Sequence, residues 1–439
     1  MRTRRNFLQL ASLAATAAYI GAPGMPRFAF GQSAGGKVYI KMFMRGGADG
    51  LHLFPRYGDP FYYQYRPNIA IEGPGSGSEG AVDLGDPMRA MNPNMAPLLE
   101  VWEDGNMLVS PATSSNDLNQ SHFDSQRWIG TGTRNNLVDG YLNRYLQVKS
   151  GVNHPIRGAT VGKGDASREM TGAFATPTIS RQSDFDIRNN DFCSGSGCSE
   201  NRLLERITEN ALHPTDLNAV EGALKESQIL MVETIDEVKG LGTYMPNAAA
   251  QELAPDYSNT QTGNGLRLIA QLLKGGIPLE VAALNFQGAS WDSHNNQIPT
   301  GSANPFTDQS FRYNQRMRQG ATDIAMFVRD MGSMMDNIVI LVCTEFGRTV
   351  KENGSFGTDH ARGASWFAIG NSVNGGMAPD IATLEESELE RNNRIPTVVD
   401  YKDIVAEILV RHLDLPENLV ATVLPGHSFN DYGFLSATA

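Results

Sequence analysis

The chain alternates short apolar runs with longer amphipathic segments. The run Asn337 to Thr344 is almost continuously apolar, which is typical of a central strand in a parallel sheet that is covered on both faces. The other predicted strands are Lys37 to Met44, Met107 to Ala112, Ile156 to Val161, Val281 to Phe286 and Ser365 to Ile369. The predicted helices are Met95 to Glu103, a segment from Ser121, Asp139 to Val148, Leu203 to Val238, Asn264 to Leu273, Gln309 to Met335 and Tyr401 to Leu413. Strands that alternate with helices predict an α/β fold with a mainly parallel sheet.

The first 34 residues have the order of an export signal. Arg4 and Arg5 precede an apolar run from Leu10 to Ala22, and small residues follow. Paired arginines before Phe-Leu are typical of a twin-arginine signal. A membrane anchor is the alternative, but these 13 apolar residues are fewer than the ~20 of a spanning helix. We therefore expect residues 35–439 to form a single exported domain, periplasmic or secreted, with the twin-arginine export machinery as a partner and no stable membrane span.

The composition describes an acidic, folded protein. Asp and Glu number 48 against 36 Lys and Arg, which gives a formal net charge of -12 over 439 residues. This charge argues against nucleic-acid binding. The hydrophobic fraction of 41% is too high for a disordered chain.

The three cysteines are Cys193, Cys198 and Cys343. Cys193 and Cys198 enclose Ser-Gly-Ser-Gly in a polar segment, and an oxidising compartment would allow them to pair. Two free thiols are the alternative. Cys343 lies in an apolar run and is expected to be buried.

Polar and ionisable residues follow most of the predicted strands. Ligand sites of open α/β sheets form at the carboxyl ends of strands, because loops and helix N-termini converge there. The candidate metal ligands are Asp49, Asp292, His294, Glu345, Asp359, His360 and His427. A mixture of Asp, Glu and His without a thiolate is ligand chemistry for zinc, manganese, iron or magnesium. The candidate catalytic residues are Ser121 and Arg348.

Several of these candidates also have a purely structural interpretation. Asp49 in Gly-Gly-Ala-Asp-Gly could form an Asx turn, and Ser121 could serve only as a helix N-cap. His122 could be a surface histidine. Glu345 ends an apolar strand, where an unpaired carboxylate is costly, so it requires a metal or Arg348 as its partner.

Five motifs follow the twin-arginine start in a fixed order. They are Arg45-Gly-Gly-Ala-Asp-Gly50, Ser121-His-Phe-Asp124, Trp291-Asp-Ser-His294, Thr344-Glu-Phe-Gly-Arg-Thr349 and Thr358-Asp-His360. Together they resemble the exported bacterial family labelled "domain of unknown function 1501", a branch of the alkaline phosphatase and sulfatase superfamily. The resemblance covers nearly the whole mature chain. It implies a doubly wound, alkaline phosphatase-like α/β/α sandwich with a metal centre at the strand ends.

The resemblance also implies roles for individual residues. The first metal site would comprise Asp49, Asp359 and His360. The second would comprise Asp292 and His294, with His427 as the candidate for its last ligand. Ser121 would be the nucleophile. Glu345 departs from the superfamily pattern, because it stands at the strand end where relatives often have the Asp-His pair itself.

These expectations favour a metal-dependent hydrolase of phosphate or sulfate esters. One or two divalent ions, with zinc favoured and manganese, iron, magnesium or calcium as alternatives, would activate Ser121, and Arg348 would hold the anion. The expected substrate is a small anionic ester or a sulfated or phosphorylated glycan. A second hypothesis is an exported metal-bound protein without turnover. A metal-free serine hydrolase is less favoured, because no Gly-x-Ser-x-Gly elbow joins a predicted strand to a helix.

Overall fold

The computed structural model of the chain describes residues 36–149, 154–162, 167–180, 234–286 and 291–436. The predicted signal and the Cys193–Cys198 pair lie outside these ranges, as does most of the helix predicted from Leu203 to Val238. Those predictions stay untested. Cys343 is described and is a buried free thiol.

The described residues form one nine-stranded sheet. Its strands are β1 (Val38–Phe43), β2 (Met107–Ser114), β3 (Gly158–Val161), β4 (Thr178–Ile179), β5 (Val281–Asn285), β6 (Ile338–Cys343), β7 (Ala364–Ile369), β8 (Gly376–Met377) and β9 (Val399–Asp400). Their spatial order is β4-β3-β5-β1-β6-β7-β2-β8, with β9 beside β2. Only β7 runs antiparallel to its neighbours, β6 and β2, within the described sheet. The predicted α/β fold with a mainly parallel sheet is confirmed.

Helices cover both faces of this sheet. The α-helices are α1 (Gly50–Leu53), α2 (Pro60–Tyr65), α3 (Leu99–Glu103), α4 (His122–Thr131), α5 (Tyr141–Val148), α6 (Ala248–Gln251), α7 (Gln261–Lys274), α8 (Arg312–Met331), α9 (Tyr401–Glu407) and α10 (Val420–Val423). None of the helices in the described ranges combines the length and the hydropathy that crossing a membrane requires.

Alternate residues of β1 belong to two separate hydrophobic cores. Ile40 and Met42 pack in the core that α7 and α8 cover, whereas Tyr39 and Phe43 pack in the core that α5 and α9 cover. Successive side chains of a strand point to opposite faces, so a strand inside a sandwich is apolar at nearly every position. The predicted α/β/α layering is confirmed.

Three predicted helices differ from the structure at their ends. The segment that starts near Met95 begins as a 3-10 helix, Pro93–Leu98, because Pro97 has no N–H to donate to an α-helical bond. Helix α8 ends at Met331, where Gly332 adopts a φ of +53°. Helix α9 ends at Glu407 and continues as one π-helical turn, Ile408–His412.

The position of β1 determines where the motifs meet. β1 lies between β5 and β6 and runs parallel to both, with Phe43 in register with Asn285 and with Cys343. The residues that follow these three strands therefore emerge side by side at one edge of the sheet. The predicted site residues that follow β1, β5 and β6 are therefore at this edge of the sheet.

Candidate metal centre

The loop after β1 packs directly against the segment that precedes Asp292. The backbone N–H of Trp291 donates to the carbonyl of Arg45 at 2.9 Å. Gly46 has a φ of +122°, and a Cβ atom at this position would lie 2.5 Å from the backbone nitrogen of Asp292. Glycine is required here both by the backbone conformation and by this close approach.

Two motifs that are separated in sequence form a short antiparallel ladder. Arg348 and His360 are bridge partners, and the flanking N–H of Ala361 donates to the carbonyl of Gly347 at 2.8 Å. The ladder brings the segment Thr344–Thr349 beside the segment Thr358–His360. Glu345 and the Asp359–His360 pair therefore reach the same site from neighbouring backbones.

Four side chains converge on one point at this edge, and we call them the His–Asp cluster: His122, Asp292, His294 and His360. His122, Asp292 and His360 each offer one ligand atom, and these three atoms lie within 4.8 Å of one another. One oxygen of Asp292 lies 3.1 Å from Nε2 of His294 and 3.2 Å from Nε2 of His360. The two Nε2 atoms of His294 and His360 are 2.9 Å apart.

Each imidazole of the cluster is held from behind through Nδ1. The Nδ1 partners are Glu345 for His122 (2.7 Å), Asp359 for His294 (2.9 Å) and the backbone carbonyl of Gln120 for His360 (3.0 Å). An oxygen acceptor on one ring nitrogen fixes the tautomer and leaves the lone pair of the other nitrogen directed into the site. This arrangement is typical of histidines that ligate metals.

The donor set fits a divalent cation. Nε2 of His122 is buried, has no hydrogen-bond partner among the described residues, and lies 3.4 Å from an oxygen of Asp292. A buried nitrogen without a partner is costly, and a cation between it and the carboxylate would satisfy both groups. Two imidazoles and a carboxylate match zinc sites with three protein ligands and one open position.

Two carboxylates of the site, those of Asp292 and Glu345, are held in the ionised form. Burial raises the pKa of Asp292, but the hydrogen bond and the charge of Arg348 outweigh it and lower that pKa to about 2. Burial also raises the pKa of Glu345, and hydrogen bonds from His122 and Gln126 outweigh this effect and lower it. The site therefore carries negative charge that favours a cation.

Arg348, the predicted holder of a substrate anion, makes its described contacts inside the protein. This side chain is only 2% exposed. Its guanidinium donates to the backbone carbonyls of Gly46, Gly47 and Thr358, and to the carboxylate of Asp292. Four of its donor contacts are thus made inside the protein, and one of them holds the carboxylate of Asp292 within the cluster.

Asp49 lies apart from the cluster, in a buried ion pair. Its two oxygens accept hydrogen bonds from Arg66 at 2.7 and 3.0 Å and from Gln297 at 2.8 Å. It also caps α1 by accepting from the N–H of Leu51. Burial raises the pKa of Asp49, but the charge of Arg66 outweighs it, so the pKa is lowered. The structure thus pairs this carboxylate with an arginine where the superfamily pattern implied a metal.

Two further predicted site residues, Ser121 and His427, make contacts outside the His–Asp cluster. Ser121 is the N-cap of α4, and its hydroxyl accepts a hydrogen bond from the N–H of Asp124 at 3.4 Å. Nε2 of His427 lies 3.1 Å from the carboxylate of Asp403 on α9, and His427 is outside the His–Asp cluster.

His122 was not among the predicted metal ligands, although the structure groups it with Asp292 and His360. The sequence feature that could have identified His122 is its spacing of four residues from Gln126 on α4. Residues four apart lie on the same face of a helix, and His122 and Gln126 both donate to the same oxygen of Glu345.

The comparisons with known proteins agree with the motifs. Residues 242–421 match the model of the family described as "Protein of unknown function (DUF1501)". This region includes every member of the His–Asp cluster except His122. No curated protein matches the chain.

Three similar solved structures share about a tenth of their residues with this chain. One is a protein in the alkaline phosphatase superfamily from Vibrio parahaemolyticus, with 10% identity and a TM-score of 0.33 over 79% of this chain and 63% of that one. Another is the lipoteichoic acid synthase LtaP from Listeria monocytogenes, with 11% identity and a TM-score of 0.28 over 77% and 62%. The integral membrane protein lipooligosaccharide phosphoethanolamine transferase A (EptA) from Neisseria meningitidis has 10% identity and a TM-score of 0.29 over 84% and 55%. The chain spans less than two thirds of each of these proteins. The resemblance predicted from the motifs is confirmed over residues 242–421, the part of the chain that is similar to the DUF1501 family.

Proposed function

We propose that this protein is a metal-dependent hydrolase of phosphate or sulfate esters. The observation that carries the proposal is the convergence of three imidazole Nε2 atoms on the carboxylate of Asp292, while an oxygen holds Nδ1 of each ring. When bound, a divalent cation supplies charge stabilisation to the anionic transition state of ester cleavage and lowers the pKa of a nearby hydroxyl. Zinc fits the ligands best, and manganese, iron, magnesium and calcium are the alternatives.

His122, Asp292 and His360 are the residues that would hold this cation, with His294 next to them. Glu345 accepts the Nδ1 proton of His122, so that the lone pair on Nε2 faces the cluster. Arg348 keeps the Asp292 carboxylate ionised and oriented. These contacts organise the ligands before any cation arrives, which lowers the cost of binding one.

Ser121 is our candidate nucleophile. It immediately precedes His122 and stands at the N-terminus of the ten-residue helix α4, where the helix dipole stabilises a developing oxyanion. Its hydrogen bond to the N–H of Asp124 is long, at 3.4 Å, so the hydroxyl is weakly held. In the proposed reaction, the hydroxyl oxygen of Ser121 bonds to the phosphorus or sulfur atom while the P–O or S–O bond of the ester breaks, and the leaving alkoxide takes up the proton that Ser121 loses. Water then cleaves the bond to Ser121, which restores the hydroxyl group and releases phosphate or sulfate.

Elemental analysis combined with aryl phosphate and aryl sulfate assays tests this proposal. We expect at least one divalent transition ion per purified chain, and we expect that the combined Asp292→Asn and His360→Ala substitutions remove it together with turnover. His427→Ala is the control and retains both. Full metal occupancy in the double variant would overturn the ligand assignment.

A second variant separates the nucleophile from the helix cap. Asn caps helices as well as Ser does but has no hydroxyl. Ser121→Asn is therefore expected to keep the metal and the stability of the protein and to lose turnover. Turnover equal to that of the unmodified protein would overturn the role of Ser121.

A metal-bound protein without turnover is the second candidate function. It is favoured by the capping role of Ser121, which accounts for a hydroxyl at this position without any chemistry. A purified protein with a full metal complement that cleaves neither ester would favour this candidate. We also propose, from the N-terminal pattern alone, that the protein is exported to the periplasm or secreted.

A further inference from the structure

A cationic cleft adjoins the His–Asp cluster at the same edge of the sheet. It is a cavity of about 250 Å³. Its charged and amide-bearing lining residues are Lys41, Arg45, Gln126, Arg127, Arg168 and Glu169. Four cations thus face a single carboxylate, in a chain whose formal net charge is -12. A local excess of positive charge on an acidic protein indicates a site for an anion.

The one carboxylate of the cleft is already neutralised. Lys41 contacts Glu169 at 3.1 Å, and their side chains are 2% and 7% exposed. Burial raises the pKa of Glu169, but the charge of Lys41 outweighs this effect, so the pKa is lowered. Lys41 and Glu169 therefore cancel each other, and the arginines determine the charge that the cavity presents.

Two of those arginines are bonded only to neutral groups in the hydrogen bonds described. Arg45 donates to the side-chain oxygens of Asn285 at 2.9 Å and Gln126 at 2.6 Å. Arg168 donates to the carbonyl of Leu137 at 2.9 Å, and its buried Nε atom has no partner among the described residues. The charge of Arg45 also acts on Glu169, but neither guanidinium donates to a carboxylate in these hydrogen bonds. An anion that binds between two half-buried guanidinium groups stabilises both.

Arg127 completes the cleft from the solvent side. It is exposed, and its nearest described carboxylate, Asp124, lies 3.7 Å away. An exposed ion pair at this distance contributes little, so Arg127 is available to a ligand.

The cleft and the cluster share one wall. The side-chain amide of Gln126 accepts from Arg45 and donates to Glu345 at 2.8 Å, and Glu345 in turn holds His122 at 2.7 Å. A chain of three hydrogen bonds therefore joins the cleft to a proposed metal ligand.

We propose that this cleft binds a second anionic group of the substrate, a phosphate, sulfate or carboxylate on the same molecule as the ester that is cleaved. The volume of about 250 Å³ lies below the ~300–1,000 Å³ of pockets for drug-sized ligands and accommodates one anionic group. The coupling of this site to turnover rests on the proposed hydrolase function, whereas the binding of an anion does not. The substrate class is accordingly an ester with at least two anionic groups.

Calorimetric titration with sodium sulfate, at constant ionic strength, tests the site directly. We expect Arg127→Gln combined with Arg168→Gln to weaken sulfate binding at least tenfold, and Arg127→Gln alone, at an exposed position, to weaken it severalfold. Arg134→Gln is the matched control: it removes the same charge from an exposed arginine just after α4 that does not line the cleft. Its effect is expected to stay below twofold.

The titration also distinguishes the cleft from the metal centre. Sulfate binding that persists in His360→Ala supports the cleft as its location, and binding lost in His360→Ala but retained in the double arginine variant overturns it. Equal losses in Arg134→Gln and in the double variant would show a general charge effect and would also overturn the proposal.

A kinetic comparison tests the link to the substrate. For an aryl phosphate that carries a carboxylate, the double arginine variant is expected to raise KM at least tenfold with kcat unchanged, whereas KM for the unsubstituted aryl phosphate changes less than twofold. Equal changes for both esters would overturn the assignment of a second anion. If the unmodified protein cleaves neither ester, the hydrolase proposal fails while the sulfate titration still decides the anion site.

Discussion

Asp49 and Arg66 form a buried, bidentate ion pair that links the loop after β1 to the motif after β6. Their two hydrogen bonds measure 2.7 and 3.0 Å, and the side chains are 1% and 0% exposed. Arg66 also donates to the carbonyls of Thr349 at 2.9 Å and Val350 at 2.8 Å. The pair therefore supports the edge of the sheet on which the candidate metal centre is built.

Removing one member of this pair should destabilise the protein strongly. Arg66→Met leaves the Asp49 carboxylate buried without its countercharge, which costs about 3–5 kcal/mol in the free energy of unfolding. Urea denaturation measures the loss. Arg362→Met is the control, because its ion pair with Glu390 is partly exposed and contributes about 1 kcal/mol or less. Loss of the bound ion from a folded Asp49→Asn variant would contradict this structural role and restore Asp49 as a ligand.

Glu345 should control metal affinity through His122. Glu345→Gln keeps the size of the side chain but removes the charge that orients the imidazole, and changes of this kind typically reduce metal affinity ~10–100-fold. Competition with a chelator, followed by elemental analysis, measures the change. Glu352→Gln is the control, since Glu352 accepts hydrogen bonds from Asn68 and Ile69 outside the cluster. Unchanged affinity in Glu345→Gln would mean that His122 is not a ligand.

Gly46→Ala should disrupt the centre. The new methyl group would lie 2.5 Å from the nitrogen of Asp292, so the loop after β1 or the Asp292 segment has to move. We expect loss of the bound ion, measured by elemental analysis. Gly85→Ala is the control that distinguishes backbone strain from a steric clash. Gly85 also has a positive φ, +68°, but nothing lies within 4 Å of a Cβ atom added there. If both variants retain the ion equally, the close approach at Gly46 has no functional importance.

His52 should make the protein less stable below neutral pH. Burial lowers the pKa of His52 to about 4; the charge of Arg66 adds to this effect, and the charge of Asp49 opposes it. The unfolded chain takes up this proton near pH 6.5, whereas the folded protein takes it up only near pH 4. The stability contributed by neutral His52 is therefore present above pH 6.5, and it falls by up to ~1.4 kcal/mol per pH unit as the pH decreases from 6.5 to 4.

The variant His52→Phe isolates this effect. Both ring nitrogens of His52 lack partners among the described residues, and the ring packs against Phe306 and Tyr313, so an aromatic hydrocarbon fits the surroundings. Relative to the unmodified protein, the variant should gain about 2 kcal/mol in unfolding free energy between pH 7.5 and pH 5. Parallel stability curves for the two proteins over this range would contradict the prediction.

The pattern of apolar residues was sufficient to predict the sheet interior but not its edges. Strands β1, β5 and β6 were predicted because burial on both faces requires unbroken apolar sequence. The direction of β7 could not be predicted, since a buried antiparallel strand has the same composition as a parallel one. The two-residue strands β4, β8 and β9 carry too little periodicity to be detected.

The candidate site was only partly predictable for a different reason. Carboxylates and histidines after strand ends identified Asp292, His294 and His360, because the carboxyl edge of the sheet brings such residues together. Their partners depend on contacts between distant segments. Arg66 neutralises Asp49, and Glu345 lies behind His122, 223 residues away in the chain. Nothing in local sequence specifies which carboxylate faces a cation and which faces an arginine.

The placement of β1 between β5 and β6 also sets the order in which the protein can form. On the ribosome, β1 emerges early, but its hydrogen-bonding neighbour β6 lies about 300 residues downstream. At ~5–20 residues per second, translation of that interval takes roughly 15–60 seconds. The strand β1 therefore lacks its neighbour β6 throughout that interval, and any interruption of synthesis before Val281, where β5 begins, leaves an apolar strand with both edges open to aggregation.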